Sequence, residues 1–123
     1  MSVTCHCGNP GSYDTCCKPL HNGKVLADSA EQLMRSRYSA FVVLNEMYLL
    51  STWHETTRPG PLNLDAGQKW IGLKINNAIK NEPDKVEFTA RFKINGKAHR
   101  LHELSRFIHE NGQWFYVDGD ILE

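Results

Sequence analysis

The last third of the chain alternates. In "VEFTARFKI", Val86, Phe88, Ala90, Phe92 and Ile94 are apolar, while Glu87, Thr89, Arg91 and Lys93 between them are polar or small. A period of two predicts a strand with one buried face. Asn95-Gly96 follows, a pair favoured in two-residue hairpin turns because both central positions take positive φ. "KAHRLHELSRFIHE" predicts a second long strand, closed by Asn111-Gly112, and "QWFYVDGDI" a third. "WIGLKI", Trp70 to Ile75, predicts a short strand ahead of them, and "NNAIKNEPD" leads out of it through Pro83.

Before the meander the period is helical. "AEQLMRSRYSAFVVLNEMYLL" runs from Ala30 to Leu50 without Gly or Pro. Leu33, Met34, Tyr38, Phe41, Val42, Leu44, Tyr48 and Leu49 share one broad face at 100° per residue, and Arg37 and Asn45 fall within it. Asp28 with Glu31, or Ser29 with Gln32, can form the capping box that starts this helix. Residues 52–69, with Pro59, Gly60 and Pro61, predict an irregular connection. One long amphipathic helix followed by an antiparallel meander is an α+β class, in which a curved sheet packs on the helix.

Composition separates off the N-terminus. Up to residue 27 the chain is rich in Gly, Pro, Cys, Asn and Ser and lacks periodic apolar positions. This predicts a loop-built unit over 1–27 and a second unit over 28–123. With 123 residues the chain can bury a core without disulfides. Fourteen basic residues balance fourteen acidic ones, so charge gives no reason to expect nucleic acid or an anionic membrane as partner. No apolar run approaches the ~20 residues of a bilayer span, and no signal region opens the chain. The expected location is the cytoplasm, where thiols stay reduced.

That compartment bears on "CHCGNPGSYDTCC", which holds all four cysteines. Cys5, Cys7, Cys16 and Cys17 are spaced Cys-x-Cys-x8-Cys-Cys, with Gly8, Pro10 and Gly11 to permit a tight path between the pairs. Four thiolates fit a closed tetrahedral structural zinc site with no open position for substrate. Redox-active thiols and disulfides are the competing readings, and His6 or His21 can replace a cysteine as ligand.

The same stretch resembles the SEC-C motif, a zinc knuckle first noted at the C-terminus of a protein-translocation ATPase. The match lies in Cys5, Cys7, Gly8, Cys16 and Cys17. The resemblance implies structural Zn2+ held by the four cysteines. Knuckles of that family carry lysines between the cysteine pairs that support contact with an acidic chaperone. Here the interval is "GNPGSYDT", with no lysine and with Asp14, so that partner is not expected. Beyond the knuckle, "LMRSRYSAF", "TWH", "VEFTARF", "HELSRF" and "WFYVDG" resemble the YchJ-like bacterial family, which has no assigned activity. That resemblance covers nearly the whole chain. It implies a knuckle fused to a domain of the nuclear-transport-factor-2-like fold, a cone formed by a curved antiparallel sheet wrapped on helices.

Such cones often enclose a cavity, so inward polar residues are candidates. On the second meander strand Leu101, Glu103, Ser105 and Phe107 share a face, and on the third Trp114, Tyr116 and Asp118 do. Arg37 lies in the apolar stripe of the helix and needs a buried partner, for which Glu103 is the expected carboxylate, with Tyr38 or Tyr116 adding a hydrogen bond. The expected pocket is lined by Arg37, Tyr38, Glu103, Ser105, Trp114, Tyr116 and Asp118, with Trp53 and His54 at its mouth. The competing reading is a structural ion pair that fixes helix to sheet. His99 and His102 fall on opposite strand faces, and His54-Glu55 lacks the second histidine of a zincin. Arg91, Lys93, Lys97 and Arg100 form a basic strip expected to be a solvated face. Two functions follow. One is a zinc-binding module that meets a protein partner through the knuckle. The other is a small-molecule binder or enzyme using the cavity around Arg37, Glu103 and Trp114.

Overall fold

The alternating stretches form four antiparallel strands in the order β1-β2-β3-β4. They are β1 (Gln68–Ala78), β2 (Lys85–Ile94), β3 (Lys97–Glu110) and β4 (Gln113–Ile121). The computed structural model describes residues 5–8, 11–62, 64–78 and 83–122. Pro10 of the knuckle and residues 79–82 of the connection through "NNAIKNEPD" lie outside these. Both Asn-Gly pairs make the tight hairpins expected of them, with Asn95 at φ 52° and Asn111 at φ 54°. On β2, Val86, Phe88 and Ala90 are buried, and across the ladder Phe88 faces Glu103 and Ala90 faces Leu101.

Three extra residues bend the sheet. Ile71 and Asn76 interrupt the β1–β2 register. Val117 interrupts β3–β4, where Arg106 pairs with Asp118 but Phe107 pairs with Tyr116. Bulges of this kind increase local twist and curl a sheet around whatever it packs on. Here that is α2 (Ala30–Val42), which touches β1, β2 and β4. Leu33, Leu49, Phe88 and Phe107 are among the buried residues between the layers. Full burial of each stabilises by about 1.5–3 kcal/mol.

The helical stretch is not one helix. α2 starts at Ser29, whose Oγ accepts from Gln32 N at 3.1 Å, and Gln32 Oε1 accepts from Asp28 N at 2.7 Å. It ends at Val43, and a second helix, α3 (Glu46–Ser51), follows at a new angle of the chain. Leu44 sits between them at φ 60°. Asn45 N donates to Ala40 O at 2.8 Å and Leu44 N to Phe41 O at 3.3 Å, the pattern of a Schellman stop. Asn45 Oδ1 then accepts from Tyr48 N and caps α3. Asn45, which lay inside the apolar stripe, is there as a cap. A short α1 (Lys18–His21) closes the N-terminal knuckle.

Candidate metal centre and internal cavity

The N-terminal loop folds back on itself. Cys5 N donates to Gly11 O at 2.8 Å, and Gly8 N donates to Cys5 O at 3.2 Å. Gly8 and Gly11 hold φ of 91° and 112°, which a side chain would strain. The result gathers the sulfurs of Cys5, Cys7, Cys16 and Cys17 within 4.8 Å of one another. Cys7 and Cys16 are 3.6 Å apart, and Cys16 and Cys17 4.0 Å. A tetrahedron with metal–sulfur bonds of about 2.3 Å has edges of about 3.8 Å, so the spacing suits a four-thiolate metal site. Burial, then the neighbouring Cys7, pushes the Cys16 thiol up to about 11. Cys7, then burial, pushes Cys17 higher still. Four thiolates this close require a cation between them.

α2 anchors the cluster. Arg35 Nη1 donates to Cys7 O at 2.7 Å, and Arg35 Nε pairs with Glu31 at 3.0 Å. The Ser39 hydroxyl lies 3.5 Å from Cys5 Sγ. His21 Nε2 meets Ser36 O at 2.8 Å, which makes Nε2 the protonated nitrogen, and Nδ1 accepts from Tyr13 OH at 2.7 Å. With both ring nitrogens engaged, His21 is an anchor and not a metal ligand. His6 is exposed and stands outside the four-sulfur group.

On another side of α2 lies a cavity of about 150 Å3. Of the side chains expected at a pocket, Arg37, Tyr38, Trp53, Glu103, Ser105 and Tyr116 line it. So do Met34, Phe41, Trp70, Phe88, Ala90 and Leu101, which the polar search passed over. Met34, Arg37, Tyr38 and Phe41 are spaced i, i+3, i+4, i+7 on α2, so helical period alone marks them as neighbours.

Three expected residues lie elsewhere. Asp118 is turned to the outer face by the Val117 bulge and pairs with Arg106 at 2.6 Å. Trp53 pairs with Tyr116 in a parallel bridge, with His54 N donating to Tyr116 O at 2.8 Å. Successive side chains of an extended segment point opposite ways. Trp53 therefore meets Tyr116, and His54 goes to Phe115, Thr56 and Glu110. Trp114 lies two residues along β4 from Tyr116, beyond the cavity, in a groove shared with α1 and α3.

The expected Arg37–Glu103 ion pair is not made. Arg37 is 4% exposed, and Nη1 donates to Leu49 O and to Thr52 Oγ1, both at 2.7 Å. Among the described residues no carboxylate lies within 4.0 Å of it. The Leu49 carbonyl belongs to the last turn of α3, where helix carbonyls lack internal partners and carry partial negative charge. The break at Leu44 turns that end toward Arg37. The guanidinium carbon lies 4.6 Å from the Tyr116 ring centre and 5.1 Å from that of Trp53. Burial lowers the Arg37 pKa to about 10, so the cation persists at neutral pH. Glu103 Oε2 instead accepts from Ser105 Oγ at 2.7 Å and Tyr116 OH at 3.2 Å. Burial, then the Glu103 charge, raises the Tyr116 pKa and keeps the phenol protonated. The carboxylate lies over Gly119, where any Cβ would collide with it. Trp53 Nε1 is buried without a partner among the described residues. No helix among the described residues is long and apolar enough to cross a membrane.

Comparison with known proteins places these features. Residues 29–119 match the family described as YchJ, middle NTF2-like domain. A UPF0225 protein of Cupriavidus metallidurans is 47% identical, covering 97% of this chain and 89% of its own. A UPF0225 protein of Bordetella parapertussis is 50% identical, covering 97% and 93%. The solution structure of a SEC-C motif containing protein from Rhodopseudomonas palustris superposes with a TM-score of 0.83 at 30% identity, covering 98% of this chain and 100% of that one. The crystal structure of a SEC-C motif containing protein from Psychrobacter arcticus gives 0.76 at 30% identity, covering 98% and 83%. With its four-cysteine knuckle and its curved sheet on α2, the chain belongs to the YchJ family with the middle NTF2-like domain, among the UPF0225 proteins.

Proposed function

We propose that this protein is a cytoplasmic small-molecule-binding domain, residues 28–123, stapled by a structural zinc knuckle, residues 1–27. The observation that carries the reading is Arg37, a cation buried at the wall of a preformed cavity without a carboxylate partner. A fold built only for stability gains nothing from such a group, since apolar residues of the same volume do as well or better. Ligand sites, in contrast, combine apolar walls with a few convergent polar groups. An all-sulfur donor set favours zinc over hard cations, and four protein ligands leave no position for substrate. Nothing in the cavity needs that metal for chemistry. The test is a fragment titration of the purified protein, followed by NMR. Binding shifts confined to Arg37, Trp53, Tyr116 and their neighbours support the reading, and a cavity that accepts no fragment at millimolar concentration ends it. Metal analysis should return one zinc per chain.

A protein-interaction role has its own support in a groove of about 290 Å3 between α1, α3 and β4. Val25, Leu26 and Met47 line it and are exposed, Met47 by 82%. Contiguous exposed apolar side chains mark docking surfaces. If this role holds, Met47→Lys removes partner capture that the wild type shows.

A further inference from the structure

The cavity's size and its charges narrow what it can hold. We infer that the ligand is an uncharged, single-ring compound bearing a hydroxyl group, an inference that rests on the binding role proposed above.

Size comes first. A cavity of about 150 Å3 takes roughly one benzene ring and is too small to enclose a whole nucleotide. The walls suit a ring, since Tyr38, Phe41, Trp53, Trp70, Phe88 and Tyr116 surround it. Aromatic faces and edges pack against a flat ligand at ordinary centroid distances of about 4.5–7 Å.

Charge comes second. The lining carries one guanidinium, Arg37, and one carboxylate, Glu103, and no other charged side chain. The two balance across the cavity. A carboxylate or ammonium ligand leaves one charge in excess inside a low-dielectric space, which is costly. An uncharged ligand keeps the balance.

Hydrogen bonding comes third. Within the protein both donors to Glu103, from Ser105 and Tyr116, converge on Oε2. Among the described residues Oε1 has no donor. A ligand hydroxyl supplies one, and a plain hydrocarbon does not. Trp53 Nε1, a buried donor of a lining residue, also lacks a partner among the described residues, and a buried polar group left unmet discriminates against a ligand that lacks the matching group.

The experiment is an NMR titration of the full chain, as purified, with phenol, benzene, benzoate and benzylammonium. The expected result is phenol binding at least ten-fold tighter than either charged probe and several-fold tighter than benzene. Glu103→Gln leaves Arg37 unbalanced, so its preference should turn toward benzoate by ten-fold or more. Benzoate or benzylammonium binding as tightly as phenol overturns the uncharged class while leaving the cavity reading intact. Benzene equal to phenol overturns the hydroxyl. Failure of all four probes overturns the binding role itself. The wild-type panel decides the class even where Glu103→Gln does not fold.

Discussion

Gly119→Ala tests the close approach of the Glu103 carboxylate to the β4 backbone. In an ordinary strand this change stabilises by about 0.4–1 kcal/mol, because glycine loses more freedom on folding. The backbone at Gly119 is not in the left-handed region, so alanine meets no backbone strain there. The Glu103 carboxylate, however, occupies the place of the new Cβ. It must swing away and release Ser105 Oγ, at 2.7 Å, and Tyr116 OH, at 3.2 Å. Hydrogen bonds to a charged group contribute about 1.5–3 kcal/mol each, and Ser105 is 1% exposed, so its hydroxyl gains no water in exchange. Taking the low end because Glu103 is only half-buried, the loss is about 3 kcal/mol. Net of the ordinary gain, Gly119→Ala should destabilise by about 2 kcal/mol and lower Tm by roughly 8 °C for a chain of this length. Urea and thermal unfolding read this directly. The control is Glu103→Ala with and without Gly119→Ala, since removing the carboxylate removes the collision. A Gly119→Ala protein as stable as wild type refutes the reasoning. So does an equal penalty in the Glu103→Ala background.

Leu44→Gly should stabilise by about 1 kcal/mol in urea unfolding, because Leu44 sits at φ 60° in a position that favours glycine and its side chain is 45% exposed. Trp53→Phe removes a buried N–H that has no partner among the described residues, and an unsatisfied buried donor costs about 1–3 kcal/mol. This substitution should fall within about 1 kcal/mol of wild type despite the lost ring volume, as measured by Tm. If the knuckle holds the proposed zinc, chelation, or Cys7→Ser at a fully buried member of the sulfur cluster, should unfold residues 5–24 first, seen as loss of the His21 and Tyr13 resonances. Full retention of those resonances in metal-free protein counts against a structural metal.

The last three strands were legible because alternation and turn residues agreed, whereas β1, expected as a short strand over Trp70–Ile75 after a loop to residue 69, runs Gln68–Ala78 and carries no turn pair at either end. Alternation marked the faces of β2, and Asn95-Gly96 and Asn111-Gly112 marked the end of β2, both ends of β3 and the start of β4 to the residue. The knuckle was legible because thiol spacing is a direct statement of ligand geometry. The helix break at Leu44 was hidden, since leucine is a good helix former and neither Gly nor Pro stands nearby. Only Asn45, a preferred N-cap residue set inside an apolar stripe, pointed to a second start. Missing that break meant missing the partner of Arg37, because α3 is the element that brings Leu49 O to it. The bulge at Val117 was hidden for a different reason. Strand pattern fixes which residues alternate, but an extra residue inverts the alternation beyond it. Tyr116 and Asp118 therefore separated, and of the two only Tyr116 reaches Glu103.

α2 explains why the knuckle and the cavity occur in one small chain. Its residues form two stripes at helical spacing. Arg35 and Ser39, four apart, face the knuckle through Cys7 O and Cys5 Sγ. Met34, Arg37, Tyr38 and Phe41 face the cavity. Between them, Ser36 takes His21 Nε2 on its carbonyl and meets Tyr48 OH with its hydroxyl at 2.7 Å. Tyr48 in turn belongs to α3, whose last turn holds Arg37. The cation at the cavity wall is thus fixed by a helix end that packs against the knuckle's own anchor. With about 13 residues, α2 alone is too short to be stable in water. It needs packing on both sides, and the cysteine knuckle provides the side that the sheet does not reach.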